Sequence, residues 1–139
     1  MFKYLHHVHY AVEDLDSMVE YLNKNFDMKP DRIEVSKGNH PAREAVYFAG
    51  ITEIQVTEPL DKTSSLARHL AEHGPGIYHV AWGVKDIENL FDRAIANGNE
   101  MRRKAVSVAP RGYKTVNIEK STSHGIGFQL IEDPEHDLS

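Results

Sequence analysis

The sequence predicts an α/β (α+β) fold in which two tandem β-α-β-β-β modules form a curled mixed sheet around a central site. The stretch HVHYAVEDL at residues 7–15 recurs as HVAWGVKDI at residues 79–87, at an offset of 72 residues. A second matched pair, GITEIQVTEP at 50–59 and GIGFQLIEDP at 125–134, follows in the same order. Strand-then-helix phrases are common, but two matched pairs in one order indicate that a single unit has been duplicated.

Module one begins with a strand, because Leu5, His7 and His9 alternate with residues that face the other way. A helix follows, and Asp14 or Asp16 is its expected N-cap. The buried stripe of this helix is Leu15, Met18, Val19 and Leu22, and the further strands lie near residues 32–36, 44–49 and 50–59.

Module two repeats this order. Asp86 is the expected N-cap of its helix, which ends near Asn97 and Gly98 because glycine favours helix C-termini. The buried stripe is Ile87, Leu90, Phe91 and Ala94, and the strands lie near residues 77–82, 100–103, 114–119 and 125–134.

The segment between the modules carries Leu66 and Leu70 at helical spacing, with Ser64 or Ser65 in position to start a short helix. Apolar residues at that spacing favour a packed connector over a flexible linker. At 139 residues the chain is long enough to bury a real core, and we expect a single domain. The expected divisions are module one at about 4–59, the connector at 60–76 and module two at about 77–134.

Composition narrows the classes of protein. The chain has no cysteine, which excludes disulfides, thiolate metal sites and cysteine nucleophiles. A net charge of −5 argues against a nucleic-acid partner, and no stretch approaches the ~20 apolar residues of a membrane span. The first residues lack the unbroken apolar run of a signal peptide. We therefore expect a cytoplasmic protein with no membrane and no nucleic-acid partner.

The duplication makes certain polar residues of the two modules equivalent in position. Two equivalent units usually pack about a pseudo-twofold axis, so His7 and His79 are expected to face one space, as are Gln55 and Gln129. Polar side chains in apolar strands are costly to bury unless something satisfies them. Two imidazoles and two amide oxygens can satisfy a divalent metal ion. The alternative is that these side chains simply hydrogen-bond within the sheet.

The other histidines lack such a match. His9 shares the strand face of His7, but its counterpart is Ala81, which favours a pocket-lining or core role over a ligand role. The remaining histidines are expected at the surface: His6, His40, His69, His73, His124 and His136.

The whole chain resembles the vicinal oxygen chelate superfamily of glyoxalases, bleomycin-resistance proteins and dioxygenases, and within it most closely the methylmalonyl-CoA epimerases. The resemblance rests on three stretches, HVHYAVEDL, EIQVTEPLDKTSSLARHLAEHGPGIYHVAWGVKDIENL and GIGFQLIEDP. The resemblance implies a divalent metal ion as cofactor, and it leaves Co, Ni, Mn, Zn and Fe open. It also implies a homodimer with a small-molecule substrate, an acyl-CoA or a related carbonyl compound.

The resemblance implies His7, Gln55, His79 and Gln129 as the metal ligands. At the position of Gln129 the family has a glutamate. An amide oxygen can coordinate a metal ion, but it brings no charge and cannot accept a proton. Glu53 stands two residues before Gln55 on the same strand face, and it can restore one negative charge.

In the family, a metal ion polarises a thioester carbonyl while bases move a proton at the adjacent carbon. One base aligns with Glu44, for which the alternative is a solvent-facing strand carboxylate. The second base of the family is the glutamate that Gln129 replaces. Glu53, His9 or a metal-bound hydroxide would have to substitute for it.

These residues favour a divalent-metal-dependent isomerase or epimerase that acts at the carbon next to a carbonyl, like methylmalonyl-CoA epimerase. Two alternatives stay open. One is another enzyme of the superfamily, such as a glyoxalase I-type lyase or a ring-cleaving enzyme. The other is a non-catalytic small-molecule binding or resistance protein, which the neutral Gln129 keeps open.

Overall fold

A computed structural model describes residues 1–36, 39–109 and 111–136. Within these residues, two β-α-β-β-β modules follow one another with a helix between them, which confirms the predicted mixed α and β class. The elements are β1 (Tyr4–Ala11), α1 (Leu15–Phe26), β2 (Arg32–Val35), β3 (Ala42–Ala49), β4 (Thr52–Pro59), α2 (Ser65–His73), β5 (Gly76–Gly83), α3 (Ile87–Ala96), β6 (Ser107–Val108), β7 (Lys114–Ile118) and β8 (Phe128–Glu132).

The chain divides into two compact units. One unit contains residues 7–79, and the other contains residues 1–6 together with the chain from residue 80 onward. The division cuts β1 after His6 and cuts β5 after His79, so each of these strands contributes to both units. The single domain with the module divisions given above remains a prediction.

In the unit of residues 7–79 the strands lie in the order β2-β3-β4-β1, with the first half of β5 beside β1. Strands β3 and β4 are antiparallel, whereas β1 and β4 are parallel and place His7 opposite Glu53 and His9 opposite Gln55. Helix α1 covers the apolar side of this sheet, as its stripe predicts. The core consists of Val12, Leu15, Ala45, Tyr47 and Val56, with Met18, Val19, Leu22, Met28 and Ile54 packed against it.

In the other unit the strands lie in the order β5-β8-β7-β6. The core beneath α3 repeats the first one and consists of Val84, Ile87, Phe91, Val116 and Leu130, with Trp82, Leu90, Met101, Val106 and Ile118 around it.

The strand predicted at residues 100–103 is wrong. Met101 makes only an isolated bridge to Ile118, and the edge strand lies later, at Ser107–Val108. The physical reason is the exposed run of Arg102, Arg103 and Lys104, whose three consecutive charges cannot alternate between a buried and a solvated face.

The two long helices of the modules share an unexpected cap. The backbone N–H of Leu15 donates to Glu58 Oε1 at 3.1 Å, and that of Ile87 donates to Glu132 Oε1 at 2.7 Å. Both glutamates belong to the matched pair of stretches at the ends of the modules, so the duplication extends to the caps.

The aspartates at the two N-cap positions behave differently. Asp14 accepts a hydrogen bond from the backbone N–H of Ser17 at 3.1 Å, which settles the choice between Asp14 and Asp16. Asp86 occupies the N-cap position of α3 in a left-handed conformation, φ 58°, and its side chain makes no cap hydrogen bond. The predicted N-cap position is therefore confirmed, but Glu132, and not Asp86, supplies the side-chain acceptor for α3.

Ser64 caps α2, since its side chain accepts from the backbone N–H of Ala67 at 3.1 Å. None of the described helices has the length and apolar character needed to cross a membrane.

Candidate metal centre

Two histidines from matched positions meet in the unit of residues 7–79. The Nε2 atoms of His7, on β1, and His79, at the middle of β5, lie 3.2 Å apart. His7 is only 2% exposed. An ion held tetrahedrally by imidazole nitrogens at about 2.0–2.1 Å separates its ligand atoms by roughly 3.3 Å. The spacing of this pair therefore fits a shared metal ion.

Gln55 and Glu53 lie on β4, beside these histidines in the strand register. Both side chains are buried, and Gln55 Nε2 donates to Glu53 Oε1 at 3.3 Å. Arg32 Nη2 donates to the same carboxylate oxygen at 3.4 Å. With its nitrogen turned toward Glu53, the Gln55 amide presents its carbonyl oxygen as the atom that can coordinate a cation.

A chain of hydrogen bonds joins Glu44 to His9 through the hydroxyl of Thr57. Thr57 Oγ1 donates to Glu44 Oε2 at 3.0 Å, and His9 Nε2 lies 2.7 Å from the same Oγ1. A threonine hydroxyl has one hydrogen, so the oxygen that gives it to Glu44 must accept from His9. His9 therefore carries its proton on Nε2 and has a lone pair on Nδ1.

The environment keeps His9 neutral. Burial, and then the charge of His79, lower the pKa of His9 to about 3. The rings of His9 and His79 are 4.8 Å apart between centroids and nearly perpendicular. Among the described residues, His9 Nδ1 is buried and has no hydrogen-bond partner. His9 thus lines the cluster with an unsatisfied acceptor.

Gln129 belongs to the other unit. It lies on β8, in register with Ala81 on β5 and with Asn117 on β7. Its Oε1 atom is buried, and no described residue donates to it. A buried amide oxygen without a donor lowers the stability of the fold by about 1–3 kcal/mol. We therefore expect this atom to contact a cation or a water molecule.

A second polar cluster, which the sequence pattern did not reveal, lies in the unit that contains residues 1–6. His6 and His136 are predicted at the surface, but His6 is 3% exposed and contacts Asp133, so the prediction for His6 is wrong. The reason is that both faces of β1 are covered at this point. The spacing of Asp133 and His136 around a proline, directly after the last strand, was the available sequence signal.

The comparisons with known proteins match this architecture. A crystal structure of methylmalonyl-CoA epimerase from Mycobacterium tuberculosis superposes with a TM-score of 0.81 at 26% identity, covering 96% of this chain and 91% of that one. A hypothetical protein from Bacillus halodurans C-125 gives 0.81 at 24% identity, with 97% of each chain covered.

A Streptomyces coelicolor methylmalonyl-CoA epimerase in complex with 2-nitronate-propionyl-CoA gives a TM-score of 0.77 at 19% identity, with 96% of each chain covered. At this identity the likeness shows the fold alone. No curated protein sequence matches the chain.

The sequence model of one family matches most of the chain, residues 6–117, and its description is glyoxalase/bleomycin resistance protein/dioxygenase superfamily. The matched stretch includes the paired histidines, Gln55 and the first module from residue 6 onward. With the repeated β-α-β-β-β order already established, the chain belongs to this superfamily.

Proposed function

We propose that this protein is a divalent-metal-dependent isomerase that moves a proton at the carbon next to a carbonyl group, in the manner of the methylmalonyl-CoA epimerases. The observation that carries the proposal is the 3.2 Å approach of His7 Nε2 and His79 Nε2. The likeness to the Mycobacterium tuberculosis epimerase, at 26% identity over nearly the whole chain, supports the choice of reaction.

In this proposal His7, Gln55 and His79 hold the metal ion, and the role of Gln129 as a ligand stays a prediction. A bound divalent ion would polarise a carbonyl oxygen and stabilise the negative charge that develops on it. Two neutral imidazoles and a correctly turned amide suit several first-row ions, so the donor set fits without selecting one metal.

Glu44 is the proposed base that takes the proton from the carbon. Its carboxylate is oriented by the Thr57 hydroxyl, which donates to Oε2, and Thr57 is in turn fixed by the N–H of His9. A base held in one orientation loses little entropy in reaching its carbon acid. Thr57 and His9 are thus positioning residues for Glu44.

Glu53 has contacts that favour orientation over proton transfer. Its Oε1 atom accepts from both Gln55 and Arg32, and the side chain is 8% exposed. These two donors hold the carboxylate in one orientation beside the Gln55 amide. We propose that Glu53 fixes the orientation of the Gln55 amide. A role of Glu53 as the second base stays a prediction.

The substrate class in this proposal is an acyl-CoA thioester. The support is the likeness, at 26% identity, to the Mycobacterium tuberculosis protein, which is an epimerase of methylmalonyl-CoA. A homodimer in the cytoplasm also stays a prediction.

One observation favours a second candidate, a non-catalytic protein that binds a small molecule. Gln129 brings no charge and cannot serve as a base on the second face of the carbon. Such a protein would bind its ligand without exchanging any carbon-bound hydrogen.

Deuterium exchange separates the two candidates. Methylmalonyl-CoA incubated with the protein and Co²⁺ in heavy water should gain deuterium at C2, as followed by mass spectrometry. Glu44→Gln should lower the exchange rate by at least 100-fold, while Glu20→Gln, an exposed carboxylate on α1, should leave it unchanged. Exchange no faster than without protein, for Co²⁺, Ni²⁺, Mn²⁺, Zn²⁺ and Fe²⁺ alike, would rule out the isomerase.

A further inference from the structure

Three side chains converge in the unit of residues 1–6 and 80 onward. A ring nitrogen of His6, a carboxylate oxygen of Asp133 and a ring nitrogen of His136 all lie within 4.8 Å of one another. His6 Nε2 is 2.9 Å from Asp133 Oδ2, and His136 Nε2 is 3.8 Å from the same oxygen.

The backbone arranges this cluster. His6 and His7 are neighbours on β1, so their side chains leave opposite faces of the strand. Asp133 directly follows β8, and a turn closed by the His136 N–H and the Asp133 carbonyl, 3.1 Å apart, brings His136 back beside it. The Glu135 N–H donates to Asp133 Oδ1 at 3.0 Å. That bond leaves Oδ2 as the oxygen directed at both imidazoles.

The low exposure of these side chains favours a fixed set of metal ligands over a mobile ion pair at the surface. The side chain of His6 is 4% exposed, that of Asp133 is 12% and that of His136 is 27%. The ring of Tyr4 packs against His136 with centroids 5.1 Å apart. The Tyr4 hydroxyl is buried and lacks a hydrogen-bond partner within the described ranges. A water molecule bound to an ion at this place would donate a hydrogen bond to that hydroxyl oxygen.

Asp133 is charged in this setting. Burial raises the pKa of its carboxyl, but the hydrogen bonds from His6 and from the Glu135 N–H outweigh burial and hold the pKa below its ordinary value. A carboxylate oxygen within 4.8 Å of two imidazole nitrogens supplies an anionic ligand to this cluster.

We propose that His6, Asp133 and His136 bind a second divalent transition-metal ion. Two imidazoles and one carboxylate are a recognised ligand set for zinc and for ferrous iron, with further positions open to water or to a small ligand. The Glu135 N–H bond to Oδ1 is the outer contact that orients a ligating carboxylate. This proposal does not depend on the proposed function.

The chain also contains an ordinary histidine–carboxylate ion pair, which serves as a comparison. His40 Nδ1 and Asp61 Oδ2 lie 2.6 Å apart, but the His40 side chain is 58% exposed. The described part of the chain brings no third metal-ligating side chain to that pair. His40→Ala is therefore a matched control, because it removes a histidine from a histidine–carboxylate pair without touching the proposed site.

Equilibrium dialysis of the untagged protein against Co²⁺, with bound cobalt measured by elemental analysis, tests the site. Asp133→Asn and His136→Ala should each lose one equivalent of cobalt relative to wild type, and His40→Ala should lose none. Circular dichroism spectra like that of wild type would show that the variants are folded. Asp133→Asn keeps the shape of the side chain, so it serves if His136→Ala unfolds. Unchanged cobalt in both folded variants would overturn the second site.

His79→Ala distinguishes this proposal from the proposed function. It should remove a different equivalent, so the double variant His79→Ala with Asp133→Asn should bind none. If wild type binds one ion that Asp133→Asn removes and His79→Ala does not, the second site stands and the first fails. The reverse pattern would overturn the second site alone.

Discussion

The Thr57 hydroxyl determines, at the scale of single residues, how its neighbours are protonated. It gives its one hydrogen to Glu44 and accepts from His9 Nε2, so Glu44 Oε2 is an acceptor and His9 carries a proton on Nε2. Glu44 and His9 are 35 residues apart in sequence. No sequence pattern predicts that Thr57 lies between their side chains in the folded chain. Histidines and glutamates can be selected from a sequence by their chemistry, but a threonine in a strand is expected on propensity alone.

Replacing Thr57 by valine keeps the shape of the side chain and removes the hydroxyl. His9 Nε2 and Glu44 Oε2 then lose a partner in a largely buried place, which should lower the free energy of unfolding by about 1–3 kcal/mol. Urea denaturation measures the change. Thr57→Ser retains the hydroxyl and should lose much less, and equal losses in both variants would show that the hydrogen bonds are unimportant.

The protonation of His9 should appear in the pH dependence of stability. Its pKa is about 3 in the folded chain, against an ordinary value of 6.5. Below that ordinary value the unfolded chain takes up a proton that the folded chain refuses, so stability falls as the pH falls.

For metal-free protein, His9 alone should cost up to about 2 kcal/mol between pH 6.5 and pH 5. Urea unfolding at the two pH values measures the loss, and His9→Gln should show a smaller one. A loss just as large in His9→Gln would contradict the assignment of a neutral imidazole at position 9.

At the scale of elements, periodicity predicted the three helices and most of the strands, because apolar residues at periods of 3.6 and 2 decide which face is buried. It failed at residues 100–103, where a charged run follows a helix and local propensity had no buried face to support it. It placed the N-cap of α3 correctly at Asp86 but did not reveal which side chain makes the cap bond, because a capping side chain can come from a distant strand. Glu132 reaches α3 from β8, a contact that only the folded sheet creates.

The two capping glutamates should differ in their contribution to stability. Glu132→Ala removes the side-chain acceptor of α3, since Asp86 makes no cap bond, and should cost about 1 kcal/mol. Glu58→Ala should cost less, because Asp14 still caps α1. Thermal or urea unfolding of the two variants compares them directly, and a greater loss for Glu58→Ala would contradict this division of roles.

At the scale of the whole molecule, the duplication was the most informative feature of the sequence. It predicted the repeated topology, and it singled out His7 and His79 from nine histidines. It could not reveal the cluster of His6, Asp133 and His136, because those residues have no matched counterparts. These side chains come together because of the face of β1 that His6 occupies and the turn after β8, and neither feature is repeated in the sequence.

The central claim is that His7 and His79 hold one metal ion, and an anomalous diffraction experiment at the cobalt edge tests it most directly. Crystals of wild-type protein grown with Co²⁺ should show an anomalous peak about 2.0–2.2 Å from both His7 Nε2 and His79 Nε2. Crystals of His79→Ala should lack that peak. A cobalt-loaded wild-type crystal with no anomalous density between the two histidines would contradict the account.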